Sequence, residues 1–252
     1  MRIIISPAKK MNEDTDSLAP RDLPLFLNRT ERLLEKLRGM SDEELKKLWK
    51  CNDSIAALNT ERLRGMDLRK LLTPAVLAYE GIQYQYMAPG VFTDQELEYA
   101  AEHLRILSGF YGILRPFDGV TPYRLEMCSK LSVEGCSNLY EFWGDALARN
   151  LSSETDCVVN LASKEYSISV SRNLPENFPC ITVVFAEEQG QRLVEKGTMC
   201  KMARGEMVRF LAGNNICEPE GIKEFKGLGY QFAPMYSDQK KFTFIRPTVL
   251  SG

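Results

Sequence analysis

The chain has 252 residues, 44% of them hydrophobic and 26% charged, and its 34 acidic side chains slightly outnumber its 32 lysines and arginines. That is an ordinary globular composition with ample material for a core, and the net charge of −2 excludes a body coated in positive charge. A nucleic-acid partner would have to meet a local basic groove on a mildly acidic protein. The seven cysteines, at 51, 128, 136, 157, 180, 200 and 217, show no C-x-x-C spacing, and such a scattered set reads as reduced, buried thiols in the cytoplasm. RIII at the start is too short for the apolar core of a signal peptide, and no apolar run approaches the ~20 residues of a membrane span.

In chain order, the β-branched run Arg2 to Ile5 predicts a buried strand ended by Ser6-Pro7. Met11 to Leu23 is polar and proline-marked, a loop. Pro24 to Arg38 carries its leucines at amphipathic spacing, and Ser41 with Glu44 three positions on is a capping-box signature opening a second helix. Asp53 to Arg64 predicts a third helix, broken at Gly65. Leu72 to Glu80 is short and apolar. Thr93 opens a helix predicted to run to Leu107, with Leu97, Ala100, Ala101, Leu104 and Leu107 on one face. Further on come a helix over Tyr140 to Leu151, strands at Cys157 to Leu161 and Cys180 to Phe185, and a helix over Thr198 to Ala212. A hairpin of Tyr230 to Ala233 with Lys241 to Ile245 completes the reading. No repeat or linker divides the chain, so residues 1–252 are expected to form a single compact α+β domain, a mixed β-sheet wrapped by helices.

Three groups of residues suggest a site. The stretch HLRILSGFYGILRPFDGVTPYRLEM, His103 to Met127, sets Arg105, Arg115 and Arg124 among Phe110, Tyr111, Phe117 and Tyr123. Arginines beside rings, with glycines where a backbone must come close, suit phosphates and flat rings. Secondly, two strands end in polar residues: RIII delivers Ser6, Lys9 and Lys10, and VVNLAS delivers Asn160, Ser163, Lys164, Glu165 and Tyr166. If these strands are parallel neighbours, both clusters meet at the carboxyl edge of the sheet, where α/β sites collect. Thirdly, KMARGEMVRF places Lys201, Arg204, Gly205 and Arg209 within about 140° of one helix face.

Other chemistries lose their basis here. His103 is the only histidine, which rules out a His-rich metal site and leaves a Ser-His-Asp triad one candidate. Neither a Walker loop nor G-x-G-x-x-G occurs, and Cys128 has no resolving partner at a telling spacing. Lys9, Glu126, Glu165 and Tyr166 remain as an acid–base inventory, with no cofactor and no metal implied.

The blocks SPAK, DSIAALNTER, YEGIQY, the central stretch, LYEFWGD, NLASKEY and KMARGEMVRF, in this order over nearly the whole chain, resemble the YaaA family of peroxide stress proteins. The resemblance implies a compact fold of unusual topology. It also implies DNA binding through a basic cleft with a helix-hairpin-helix element, and a role in limiting iron-dependent oxidative DNA damage. Two stretches compete for the hairpin: the helix from Asp94 followed by LSGFYGIL, whose second glycine comes one position late, and SIAALNTER, which has no glycine.

Two functional expectations follow, beside a third reading in which this is a bacterial housekeeping protein whose motifs are mainly structural. In the first, Arg105, Arg115, Arg124, Lys201, Arg204 and Arg209 contact DNA phosphates while Tyr111 and Tyr123 stack on bases. In the second, Ser6, Lys9, Asn160 and Ser163 form a pocket for a nucleotide-like small ligand, and Lys9, Glu126 or Glu165 carries out chemistry on it. Both place Lys9, Arg124 and Glu165 at one common cavity.

Overall fold

A computed structural model describes residues 1–190 and 192–247. Its centre is an eight-stranded mixed sheet. Across it the strands run Gln231–Phe232, Lys241–Arg246, Cys180–Gln189, Val158–Asn160, Arg2–Ile5, Leu104–Ser108 and Gly112–Leu114, with Arg192–Val194 paired to Cys180–Gln189. The four central pairings are parallel; the two ends and the Arg192–Val194 pairing are antiparallel. Leu104–Ser108 and Val158–Asn160 are buried at every residue. Strands covered on both faces read as continuous apolar runs, so no alternation marks them.

Ser41 and Thr93 both make the reciprocal capping box with Glu44 and Glu96, and the helices Leu27–Arg38, Asp42–Trp49 and Asp53–Gly65 form where the leucine spacing places them. The helix that Thr93 caps ends at His103 rather than Leu107. Leu104 to Ser108 instead pairs with Arg2–Ile5, Leu104 standing opposite Ile3, and turns at Gly109 to Gly112 into an antiparallel return. A short apolar run fits either period, and sheet pairing decided it here. The expected helix over Tyr140 to Leu151 is two helices, Leu139–Trp143 and Ala146–Glu154, parted at Gly144 with φ of +54°. The helices Ile82–Met87 and Lys164–Ser171 had no strong periodic signal in the sequence.

The longest helix, Gly197–Gly213, crosses Ile82–Met87 at Gly205. Among the described residues no helix is long and apolar enough to cross a membrane.

Candidate functional site

The two polar strand ends do meet. Arg2–Ile5 and Val158–Asn160 are parallel neighbours with Ile4 opposite Asn160, so Ser6 and Ser163 leave the sheet side by side. The Ser163 amide donates to Ser6 Oγ at 2.8 Å, and the two hydroxyls lie 3.2 Å apart. Tyr84, on helix Ile82–Met87, donates its hydroxyl to the Ser6 carbonyl at 3.0 Å. Asn160 is buried and its side chain is spent locally: its Oδ1 accepts from the Ala162 amide at 2.9 Å and its Nδ2 donates to Thr182 Oγ1 at 3.3 Å. It therefore shapes the turn.

Beside the serines stands a chain of charges. Lys9 Nζ is 2.9 Å from Glu126 Oε2, and Arg124 is 3.5 Å from Glu126 Oε1. Side-chain exposure falls from 66% at Lys9 to 20% at Glu126 and 12% at Arg124, so the chain runs inward from solvent. Arg124 Nε is buried without a hydrogen-bond partner. Two residues beyond Glu126, the Cys128 amide donates to Glu165 Oε1 at 3.3 Å. Tyr140 donates to the backbone carbonyl of Glu165 at 2.9 Å. Burial, then the neighbouring Tyr123 and Glu165, push the Tyr166 phenol far above the usual tyrosine range. Lys9, Arg124 and Glu165 thus belong to one neighbourhood, joined through Glu126 and Cys128.

The arginine-and-ring set of the central stretch divides. Arg105 is buried; its Nε and Nη2 bind Glu154 at 2.9 and 2.6 Å. Its Nη1 closes the carbonyl end of the preceding helix on Ala101, Glu102 and Leu104. That corrects the expectation of a phosphate contact, because its donors are spent on the fold. Arg115 is paired with Asp118 at 3.1 Å and Asp22 at 3.2 Å. Tyr111 and Tyr123 were expected to stack on bases, and both are buried. Tyr111 bonds Thr121, and Tyr123 stacks on Phe110 and links Ser108 to Tyr79 at 2.6 and 2.8 Å. Their rings fill the core and offer no open face.

On helix Gly197–Gly213, Lys201 and Arg209 are exposed and unpaired among the described residues. Arg204 lies mostly inside, its Nε unpartnered, and burial holds its guanidinium below the usual arginine range. Gly205, between them in angle, is a packing glycine: a Cβ there would lie 2.0 Å from the Gln83 carbonyl oxygen. The same helix 82–87 carries Tyr84 to Ser6, which joins this face to the serine pair.

His103 is structural. Its Nδ1 lies 2.9 Å from the Met1 carbonyl and its ring packs on Tyr99. The first hairpin candidate is overturned, since LSGFYGIL is a β-hairpin. The second lies in a helical pair: Asp42–Trp49 and Asp53–Gly65 are joined by three residues, with Lys50 at φ 46° and ψ 54°, taking the left-handed position a glycine usually fills. Against the expectation of buried thiols, Cys217 and Cys128 are exposed, and the surroundings of Cys128 do not favour its thiolate. Burial raises its pKa, and hydrogen bonding and charge from Glu165 raise it further. Sequence reasoning missed Tyr84, Gln83 and Tyr140 as site supports, although YEGIQY and LYEFWGD contain them. Among the described residues no group of three or more acidic, histidine or cysteine side chains is placed to hold a metal ion.

Comparison with known proteins gives one consistent answer. A family model described as peroxide stress protein YaaA matches residues 1–235. A UPF0246 protein of Agathobacter rectalis is 53% identical over 98% of this chain and 99% of its own length. One of Desulfitobacterium hafniense is 51% identical over 98% of both chains, and one of Lachnoclostridium phytofermentans 50% identical over 98% of this chain and 96% of its own. The chain therefore belongs to the YaaA family of peroxide stress proteins.

Proposed function

We propose that this protein serves the peroxide stress response in the cytoplasm by binding DNA without sequence preference, and so helps limit iron-dependent oxidative damage to it. The observation that carries this reading is the turn Lys50–Asn52 between two helices. Its exposed Lys47 and Lys50 are unpaired among the described residues. Asn52 caps the 13-residue helix that follows by accepting from the Ile55 amide at 2.9 Å. Exposed lysines in a turn between two helices are available to phosphates, the Asp53 carboxylate in the first turn of the second helix being paired with Lys46. Lys201 and Arg209 supply further free cations. They stand eight residues apart on one helix, which is about 12 Å along its axis. Nothing in either group reads base edges, so the binding is electrostatic.

The test is duplex binding as a function of salt. Log affinity should fall with log salt at about 0.9 per phosphate neutralised, and Lys50→Ala or Lys201→Ala should each lower that slope by about one. A shallow slope, or one that neither substitution changes, contradicts the reading.

A second reading is favoured by the charge chain at the sheet edge. Lys9, Glu126 and Glu165 around Ser6 and Ser163 form a compact polar cluster, suited to a nucleobase or nucleotide ligand more than to a duplex groove.

A further inference from the structure

Arg124 is held beneath the surface with far more hydrogen-bonding capacity than the protein uses. A guanidinium carries five N–H donors in a fixed fork that matches an oxyanion two bonds at a time. Here one terminal nitrogen reaches Glu126 at 3.5 Å, and Nε is buried with no acceptor at all. Buried donors without partners are rare enough that each requires an explanation, an absent ion or ligand being one. The fold fixes Arg124 well, since its neighbours Tyr123 and Leu125 are both core residues. Glu126 is meanwhile divided between two cations, and its bond to Lys9 at 2.9 Å is the better made. Two positive side chains on one carboxylate leave a surplus positive charge. It is open to solvent at Lys9 and largely covered at Arg124.

Beyond Glu126 the sign changes. Glu165, in the first turn of helix Lys164–Ser171, accepts one backbone amide from Cys128. A carboxylate has about four lone-pair sites, so it retains capacity for N–H donors. The neighbourhood therefore offers an oxyanion receptor at one end and an acceptor of N–H groups at the other.

We propose that this cluster binds a nucleotide. Its phosphate sits on Arg124 and Lys9 in place of Glu126, and an N–H of its base donates to Glu165. The inference gives the second reading above its ligand and rests on that reading; it is independent of DNA binding by the Lys50 turn and the Gly197–Gly213 helix.

Calorimetric titration of the full chain with adenosine monophosphate, guanosine monophosphate, adenosine, ribose 5-phosphate and inorganic phosphate tests it. At least one nucleotide should bind ten-fold or more tighter than adenosine and than inorganic phosphate. Ribose 5-phosphate should fall between, because it lacks the N–H donors. Lys9→Gln, at an exposed position where folding is not at stake, should weaken the nucleotide at least five-fold, and Arg124→Gln at least ten-fold in a variant whose circular dichroism is unchanged. Glu126→Gln should tighten binding several-fold by removing the competing anion. Lys47→Ala with Lys50→Ala should leave nucleotide affinity unchanged while weakening DNA. Nucleotides that bind no better than inorganic phosphate overturn the proposal. So does an affinity indifferent to Lys9→Gln, or one lost with the Lys47 and Lys50 pair, which would assign the nucleotide to the DNA-binding surface.

Discussion

Gly205 lies against the carbonyl oxygen of Gln83 so closely that a Cβ built on it would come within 2.0 Å of that oxygen and 2.9 Å of the Met87 amide. Two helices cross there backbone to backbone. Alanine favours an isolated helix over glycine by about 1 kcal/mol, yet Gly205→Ala should destabilise this protein by about 2 kcal/mol or more, because rigid backbone must separate. Urea denaturation measures it. A gain in stability would mean that the two backbones can part at little cost. Because helix 82–87 also holds Ser6 through Tyr84, the variant should disturb the serine pair.

Arg105 tests the distinction between a structural and a DNA-binding arginine. Truncating one partner of a buried ion pair typically costs about 3 kcal/mol, and Arg105 also closes a helix end. Arg105→Ala should lower thermal stability markedly, with Glu154→Gln lowering it less. The fraction that remains folded should bind duplex DNA with undiminished affinity. A variant of full stability and weakened binding would return Arg105 to the DNA-binding surface.

Asp118 should leave a signature in the pH dependence of folding. Burial pushes its pKa up to about 6 from an ordinary 3.8, against the opposing hydrogen bonds and charge of Arg115. With the folded value above the unfolded one, the folded state holds the proton more tightly in this window. The group's contribution to stability is therefore full below about pH 3.8 and is lost as pH rises through about 6. Asp118→Asn should remove that loss. The difference in urea midpoint between wild type and variant, followed from pH 4 to pH 7, should change most between pH 4 and pH 6. A constant difference across the range counts against it.

Cys128 should prove chemically quiet despite its exposure and its place beside the site. Thiolates are the reactive form, and burial together with Glu165 keeps this one protonated. Alkylation at neutral pH should be slower than for an unperturbed cysteine, and Cys128→Ser should leave peroxide survival of cells unchanged. Rapid sulfenic acid formation at Cys128 would reverse this assignment.

Local chemistry makes several features legible in the sequence alone. Ser41 with Glu44 and Thr93 with Glu96 announce helix starts because a capping box is satisfied within four residues. The leucines of residues 27–38 announce a buried face because helical spacing is local geometry. The two polar strand ends are legible as types, and their meeting depends only on whether the strands lie parallel and adjacent. What the sequence by itself determined was this set of elements, the family, and a shortlist of charged residues. Tertiary structure alone decided which of those charges were free. Arg105 and Lys201 look alike in a sequence, but sheet pairing of Leu104–Ser108 buries the first against Glu154 while the second faces water. Tyr111 and Tyr123 look like a stacking surface, and a buried hydroxyl network with a packed core claims them instead. The physical reason is the same throughout. Capping and amphipathic spacing act over a few residues, whereas burial and ion pairing join positions 49 or 117 residues apart, and only the folded chain brings such partners together.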